Sequence, residues 1–479
     1  MRRKFIIFNF LLITSLSVGQ ENALEILLAD SSMIHSSASL CIINTETGEP
    51  VYRYNAEKSL IPASVMKIIT SSAALELLGP EYRFKTVLGY NGDLNRKTGR
   101  LKGNIFIKGG GDPSLGSSFF KDHYREFLAE WINEIRNLGI KKIDGRVIAD
   151  DSRYDHQPVP VKWLWEDAGN YYGAGVYGLS VFDNSFEIHL RTAEEGSVPE
   201  IIRFVPQECR FELSNYLVAS GNTDKGYIFR APFNGYGWLA GSVPVNREDF
   251  VLKASVANPP LLLSEIFDNM LDSAGIEVTG DPSVTGNYIE LFNTEPVIIA
   301  EIDSPSLKEI IEVLNHESVN LYAEHLLKEM GKVFNNSGTT AAGIEVLIRF
   351  LQESGINASG VFIEDGSGLS PLNSINTNAL AEMLIYMRKR AKYPDEFYAS
   401  LPDAGKEGTL KNYFKDHVFD SNLRAKSGSM TRVRSYAGYF KALSGKELAF
   451  CIIINNYSGS SQKIVEGVEG ILKETIMNK

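Results

Sequence analysis

Cysteine is nearly missing from this chain: Cys41, Cys209 and Cys451 are the three in 479 positions. An odd, scattered set excludes a disulfide framework and a CxxC metal pair. Cys41 and Cys451 lie in the apolar β-branched stretches SLCIIN and AFCIIIN, where buried, inert thiols are expected. Histidine is scarce too, seven in all, and none shows HExxH or similar ligand spacing, so neither a metal nor a cofactor is expected. Basic residues are outnumbered, 48 against 59 acidic, for a net charge of −11. Such a balance gives no support for nucleic acid as a partner. A transmembrane anchor is not expected either, because no apolar run reaches the ~20 residues that span a bilayer.

The apolar run at 5–16 follows Arg2, Arg3 and Lys4 and precedes Ser17-Val18-Gly19 and Gln20. That is the pattern of a secretory signal peptide over residues 1–19. The mature chain is therefore expected outside the cytoplasm, periplasmic or otherwise exported, and soluble. No cysteine stands near the cleavage point, so a lipid anchor is not expected.

Beyond the leader, residues 39–44 read as a strand, 45–48 as a turn and 50–54 as a returning strand. A long apolar helix follows Pro62 and stops at Gly79-Pro80. The stretch from about 85 to 300 is richer in Gly, Pro and aromatic residues and reads as short strands and loops. Helical patterns resume after Pro305, with further helices near 339–354 and 377–391. A strand pair around Ser444-Gly445 and a helix near 462–476 end the chain. Strand pairs at both ends, flanking helices, suggest one α/β unit split by an insertion.

Three short motifs carry chemistry, and each recurs by chance. Ser-x-x-Lys occurs at Ser64-Lys67, Ser118-Lys121 and Ser460-Lys463. Ser-x-Asn occurs at Ser318-Asn320, Ser220-Asn222 and Ser374-Asn376, and Lys-Ser/Thr-Gly at Lys426-Ser427-Gly428 and Lys97-Thr98-Gly99. Context separates them. Only Ser64 opens a long apolar helix, where its hydroxyl sits near the positive end of the dipole and Lys67 lies one turn on. Lys97-Thr98-Gly99 reads as a hairpin tip, whereas Lys426 follows the extended SNLRA and suits an edge strand facing a cleft.

Ser64-Val65-Met66-Lys67, Ser318-Val319-Asn320 and Lys426-Ser427-Gly428, in that order, resemble the penicillin-recognising serine enzymes. The long gap between Ser64 and Ser318 is similar to that of the class C low-molecular-mass penicillin-binding proteins, the D-alanyl-D-alanine carboxypeptidase/endopeptidase group. The likeness extends through GNIFIKGGGDPSL, SPSLKEIIEVLNHESVNLYAEHLLK, DGSGLSPLNS and SLPDAGKEGTL. It departs at Ser427, where threonine is commoner, and at Asp303, where histidine is expected. The resemblance implies an α/β (α+β) transpeptidase fold like that of serine β-lactamases, with an antiparallel sheet flanked by helices. Residues 20–84 and 301–479 would form the catalytic domain, and 85–300 a large, mainly β insertion of two small domains.

The resemblance also implies the roles. Ser64 would attack, neutral Lys67 would be its base, and a second cation at Lys426 together with burial would lower the Lys67 pKa. Ser318 would relay a proton to the leaving amine, and Asn320 would hold Lys67 and the substrate amide. Lys426 and Ser427 would bind the terminal carboxylate, beside Gly428, and the amides of Ser64 and Ser429 would form the oxyanion hole. Asp150, in GRVIADDSRYD, would contact an amine on the third residue of the stem peptide. The implied partners are peptidoglycan stem peptides, with β-lactam antibiotics as inhibitors. A serine β-lactamase and a non-catalytic β-lactam-sensing or wall-binding module share the motifs. Class A β-lactamases use E-x-x-L-N; the nearest match, Glu353-Ser-Gly-Ile-Asn357, reads as a helix end at Gly355.

Overall fold

The apolar run SLCII builds a strand at Ser37–Asn44 (β1) whose six inner residues are all buried, as an unbroken β-branched run demands. The computed structural model describes residues 22–285 and 296–479, so the expected signal peptide lies outside the described residues. β1 turns back through Pro50–Tyr54 (β2). The sheet is completed from the far end of the chain, by Leu423–Met430 (β3), Val433–Lys441 (β4) and Glu447–Asn455 (β5). The order is β3-β4-β5-β1-β2, antiparallel throughout. Cys41 and Cys451 stand opposite each other in the β1–β5 register, both fully buried as free thiols.

Side chains of β5 alternate between two cores, as the period of two requires. Cys451 and Ile453 join Ile68 and Ile69 of Lys67–Leu78 (α1), Leu314 of Leu307–Glu317 (α2), Leu326 of Asn320–Asn335 (α3) and Leu380 of Thr377–Lys389 (α4). Phe450, Ile452 and Ile454 face the opposite way, onto Ile464, Val468 and Leu472 of Ser461–Asn478 (α5). Each such side chain contributes ~1.5–3 kcal/mol of apolar burial. α1 is enclosed on all sides, with every residue from Lys67 to Glu76 buried. That enclosure takes the Lys67 amine out of water.

Between these elements the described residues form four further sheets, of three to five strands. Lys85–Tyr90 and Val297–Asp303 pair antiparallel, from Tyr90↔Val297 to Lys85↔Asp303, so the chain leaves and returns side by side. Asp303 stands at that strand end, 4.0 Å from Lys85, on the surface rather than in a site. The stretch also holds helices at Phe127–Asn137 and Pro259–Ser273, which a reading as strands and loops does not foresee. Both are amphipathic and bury Phe127, Trp131, Ile135, Leu263, Phe267 and Leu271 in one core. A separate core lies between the two three-stranded sheets, around Ile188, Leu217, Ile228 and Leu239.

Candidate active site

Ser64 lies in a 3-10 turn, Ala63–Met66, that leads directly into α1. Ala63 is held at φ +47°, a left-handed conformation that costs energy in a non-glycine residue, and it is completely buried. Two close approaches over-determine the turn. A Cβ on Gly368 would stand 2.0 Å from the Ala63 carbonyl oxygen, and one on Gly428 would stand 2.8 Å from the Pro62 carbonyl oxygen and 2.2 Å from Ser435 Oγ. Only glycine lets the 365–373 loop and the edge strand β3 close on the serine from both sides. Ser435 Oγ also donates to the Pro62 carbonyl, at 2.6 Å.

One turn on, Lys67 Nζ stands 3.0 Å from Ser64 Oγ, 2.6 Å from Asn320 Oδ1 and 2.7 Å from the Ser367 carbonyl oxygen. Asn320 is oriented by its own amide, which donates to the Tyr172 carbonyl at 2.8 Å. The Asn320 oxygen and the Ser367 carbonyl can only accept. They take both hydrogens of a neutral amine and leave its lone pair for the Ser64 hydroxyl. Burial lowers the Lys67 pKa to about 7, against the opposing charges of Asp365 and Glu324.

Ser318 occupies the left-handed link between α2 and α3, φ 60° and ψ 36°. The corner points its hydroxyl at Lys426, whose Nζ donates to it at 2.8 Å and to the Ser427 carbonyl at 2.8 Å. Lys426 is fully buried, and burial followed by the Lys67 charge holds its pKa well below that of a free lysine, with Glu317 opposing. Burial is the chief cause that lowers Lys67; the charge of Lys67 in turn lowers Lys426. Ser427 Oγ donates to Thr409 Oγ1 at 2.7 Å beside this amine.

Ser64, Ser318, Asn320, Gly368, Ser429 and Met430 line one cleft of about 390 Å3. Ser64, Lys67, Ser318, Asn320 and Lys426 thus come together, with Ser427, Gly428 and Ser429 on the edge strand beside them. None of the other motif copies lines the Ser64 cleft, although Ser118 lines the adjoining lobe with Ser318 and Asn320. Lys97 sits in a turn whose backbone amide is held by Asn95, Ser118 opens a short 3-10 turn at Ser118–Phe120, and Ser460 caps α5. Asp150 does not join them either. It ends the strand Val147–Asp150, is 4% exposed, and its Oδ1 accepts from the Ser152 amide at 3.0 Å and Thr285 Oγ1 at 3.1 Å. Asp150 is not among the residues that line the cleft.

The acids that the inserted stretch delivers to the cleft are Glu166 and Asp167, with Tyr172 and Tyr227 beside them. Burial raises the Asp167 carboxyl to about 6, the Tyr172 hydroxyl opposing. Sequence reasoning also missed Glu324 and Asp365, behind Lys67. Glu324 accepts from the amides of Ser367 (2.7 Å) and Gly366 (3.2 Å), which turns the Ser367 carbonyl toward Lys67. Burial and then Asp365 push its carboxyl pKa up. Asp365 accepts from the amides of Gly368 and Ser370, both at 2.6 Å, and from Trp163 Nε1 at 2.7 Å. Glu324 follows Asn320 by four residues on α3, a same-face spacing that marks it; Asp365 heads the glycine-rich DGSG, where amides converge.

Residues 20–473 match the model of a family described as D-Ala-D-Ala carboxypeptidase 3 (S13). The D-alanyl-D-alanine carboxypeptidase of Actinomadura sp. (strain R39) is 29% identical over 456 residues, 92% of this chain and 82% of that protein. Penicillin binding protein 4 from Haemophilus influenzae superposes with a TM-score of 0.81 at 22% identity, covering 95% of this chain and 99% of that one. Its complex with a novel beta-lactam superposes at 0.76 with 21% identity, again over 95% and 99%.

Proposed function

The chain belongs to the D-Ala-D-Ala carboxypeptidase 3 (S13) family, and on that premise we propose that it cleaves the terminal D-alanyl-D-alanine bond of peptidoglycan stem peptides through an acyl-enzyme on Ser64. The observation that carries the reading is the Lys67 amine: two obligate acceptors on one side, the Ser64 hydroxyl on the other, and a pKa brought to about 7 by burial. A serine hydroxyl needs such a base to attack near neutral pH.

Lys67 takes the Ser64 proton as Oγ attacks the carbonyl, and the amides of Ser64 and Ser429 stabilise the oxyanion, ~3 kcal/mol for each donor. Ser318, already accepting from Lys426, turns its own hydrogen to the leaving nitrogen and is resupplied by Lys426. An incoming carboxylate draws a proton onto the depressed Lys426 amine and receives Ser427 and Thr409 hydroxyls, which favours substrates with a free C-terminus. Asn320 holds Lys67 and the substrate amide. Water then enters and releases the acyl group. Penicillins acylate the same hydroxyl and leave slowly.

Residues 20–84 and 301–479 serve in this reading as the catalytic unit, with 85–300 as an insertion that forms one wall. Glu166 and Asp167 on that wall replace Asp150 as the groups that meet an amine on the third stem residue. Export by the leader at 1–19 would bring the enzyme to its substrate; among the described residues no helix is long and apolar enough to cross a membrane. Endopeptidase action is a second reading, favoured by a further lobe of about 430 Å3 beyond Ser318, lined by Phe119, Tyr171, Lys253 and Glu317. It would take a leaving group longer than one D-alanine.

The test is digestion of purified peptidoglycan together with penicillin labelling. Ser64→Ala should abolish D-alanine release and covalent labelling alike. Labelling that persists, or maps to Ser118 or Ser460, would sink the proposal. An adduct seen by mass spectrometry without D-alanine release from a pentapeptide would mark a sensor, and rapid loss of the adduct a β-lactamase.

A further inference from the structure

The inserted stretch lays a second surface beside the cleft. Its sheet of Glu212–Ala219, Tyr236–Val243 and Lys225–Phe229, in that order, buries one face, with Leu217, Leu239, Ile228 and Val243 in the core beneath. The alternation of side chains along each strand then sends Tyr216, Tyr227, Phe229, Tyr236 and Trp238 to the opposite face. Tyr216, Tyr236 and Tyr227 are 64%, 40% and 37% exposed. Large aromatic side chains gathered on one uncovered face mark a contact surface.

The register gives this surface its shape. Tyr216 and Tyr227 stand on either side of Ala240, so a single methyl group lies between two tyrosines whose backbones are roughly 10 Å apart, two strand spacings. In the next row Trp238 stacks on Phe229 with ring centroids 5.3 Å apart, and Trp165, between Leu164 and Glu166 of the cleft wall, meets Trp238 at 6.4 Å. Charge is confined to opposite ends of the face. Glu212 stands opposite Tyr236 and Lys225 opposite Ser242, while Ser214, Val218 and Ala240 fill the strand positions between the rings. Rings and phenolic hydroxyls without charge suit a ligand with apolar C–H faces, many hydroxyls and no net charge, which is a sugar chain. An acidic or basic peptide would find no counter-charge among them.

Tyr227 also lines the catalytic cleft with Ser64 and Ser318, so the surface continues the site that holds the stem peptide in the proposed function. A stem peptide hangs from a chain of N-acetylated hexosamines, and a stem seated in the cleft brings that chain alongside. We propose that this face binds the N-acetylhexosamine chain that carries the stem, with pyranose rings laid over Ala240 between Tyr216, Tyr227 and Trp238. The choice of this sugar rests on the reading of the cleft as a stem-peptide site.

The probe is tetra-N-acetylchitotetraose, which carries no peptide, titrated into the purified full chain by ligand-observed NMR and by quenching of tryptophan fluorescence. It should saturate the wild type, and Ser64→Ala should bind it equally. Tyr216→Ala, at an exposed side chain, should weaken binding at least fivefold. Ala240→Gln should do the same, because it fills the floor and leaves every ring in place. Both variants should acylate with penicillin at the wild-type rate and release D-alanine normally from a free pentapeptide, yet release it severalfold more slowly from stems still attached to their sugar chain. No saturable binding by the wild type, wild-type affinity in both variants, or variants that lose nothing on attached stems would overturn the proposal. Self-association of the wild type that Tyr216→Ala abolishes would overturn it too, by giving the face to a second copy. Sugar binding that Tyr216→Ala weakens, in a protein that releases no D-alanine from any stem, would strike the reading of the cleft and leave this surface standing.

Discussion

Single-turnover acylation by penicillin, followed from pH 5 to pH 9, titrates the Lys67 amine. Acylation needs the neutral amine, so the rate rises with pH through the pKa of Lys67 in the free enzyme. With that pKa at about 7, roughly half the molecules are ready at pH 7. A solvent-exposed lysine, near 10.4, would leave only ~1 in 2,500 neutral, so burial is worth on the order of a thousandfold in rate. Asp365 and Glu324 favour the charged amine, Asp365 more strongly. Asp365→Asn should therefore move the limb to lower pH, while slowing the plateau because the loop loses acceptors for Gly368 and Ser370. Lys426→Ala should leave the limb near its place, since burial is the chief cause of the Lys67 depression. A rate flat from pH 5 to 9, or a limb near 10, would refute Lys67 as the base. A limb that rises in Lys426→Ala would show that the two amines repel where we assign the depression to burial.

Lys97→Ala should keep full turnover of a D-alanyl-D-alanine peptide, whereas Lys426→Ala should lose at least a hundredfold in kcat/KM; equal losses would place the wrong lysine in the cleft. Asp167→Asn should weaken turnover of stem peptides that carry a free amine on the third residue about tenfold and spare a short acyl-D-Ala-D-Ala mimic. Asp150→Ala should spare both and cost ~1 kcal/mol of stability by removing the acceptor of two hydrogen bonds, read as a lower Tm; the reverse pattern would restore Asp150 to the site. Gly428→Ala should abolish labelling while the fold survives, because its Cβ would push Ser435 and Pro62 away from Ser64; normal labelling would show that the turn tolerates displacement.

The groups that meet at the candidate cleft were legible because they sit in local patterns whose context is also local: a serine opening an apolar helix, a lysine at the end of an extended run. β1, α1, β4, β5 and α5 declare themselves through period and punctuation. Helices Phe127–Asn137 and Pro259–Ser273 carry the same period but lie among glycine-rich turns, and composition there outweighed pattern. Which of Asp150 and Asp167 faces the cleft was not legible, for another reason. Asp150 ends a short strand and Asp167 lies in a turn, and only the tertiary path from Tyr154 to Tyr172, pinned by Trp163 to Asp365, decides which one reaches the cleft. The Lys67 environment was beyond reach for the same cause: Glu324, Asp365 and the Ser367 carbonyl are brought to it by α3 and a loop about 300 residues away in sequence.

β1 has β2 on one side and β5 on the other, so the middle of the catalytic sheet is shared between the first and last parts of the chain. During synthesis Ser64 and Lys67 emerge early with no sheet to pack against. Lys426 arrives near the end, and the strand that flanks β1 later still. Pairings this far apart in sequence close slowly, after the chain is complete. A chain whose last strands are not yet in place therefore has no competent nucleophile. A truncation that spares every motif but removes Glu447–Asn455 would leave the serine as an ordinary alcohol.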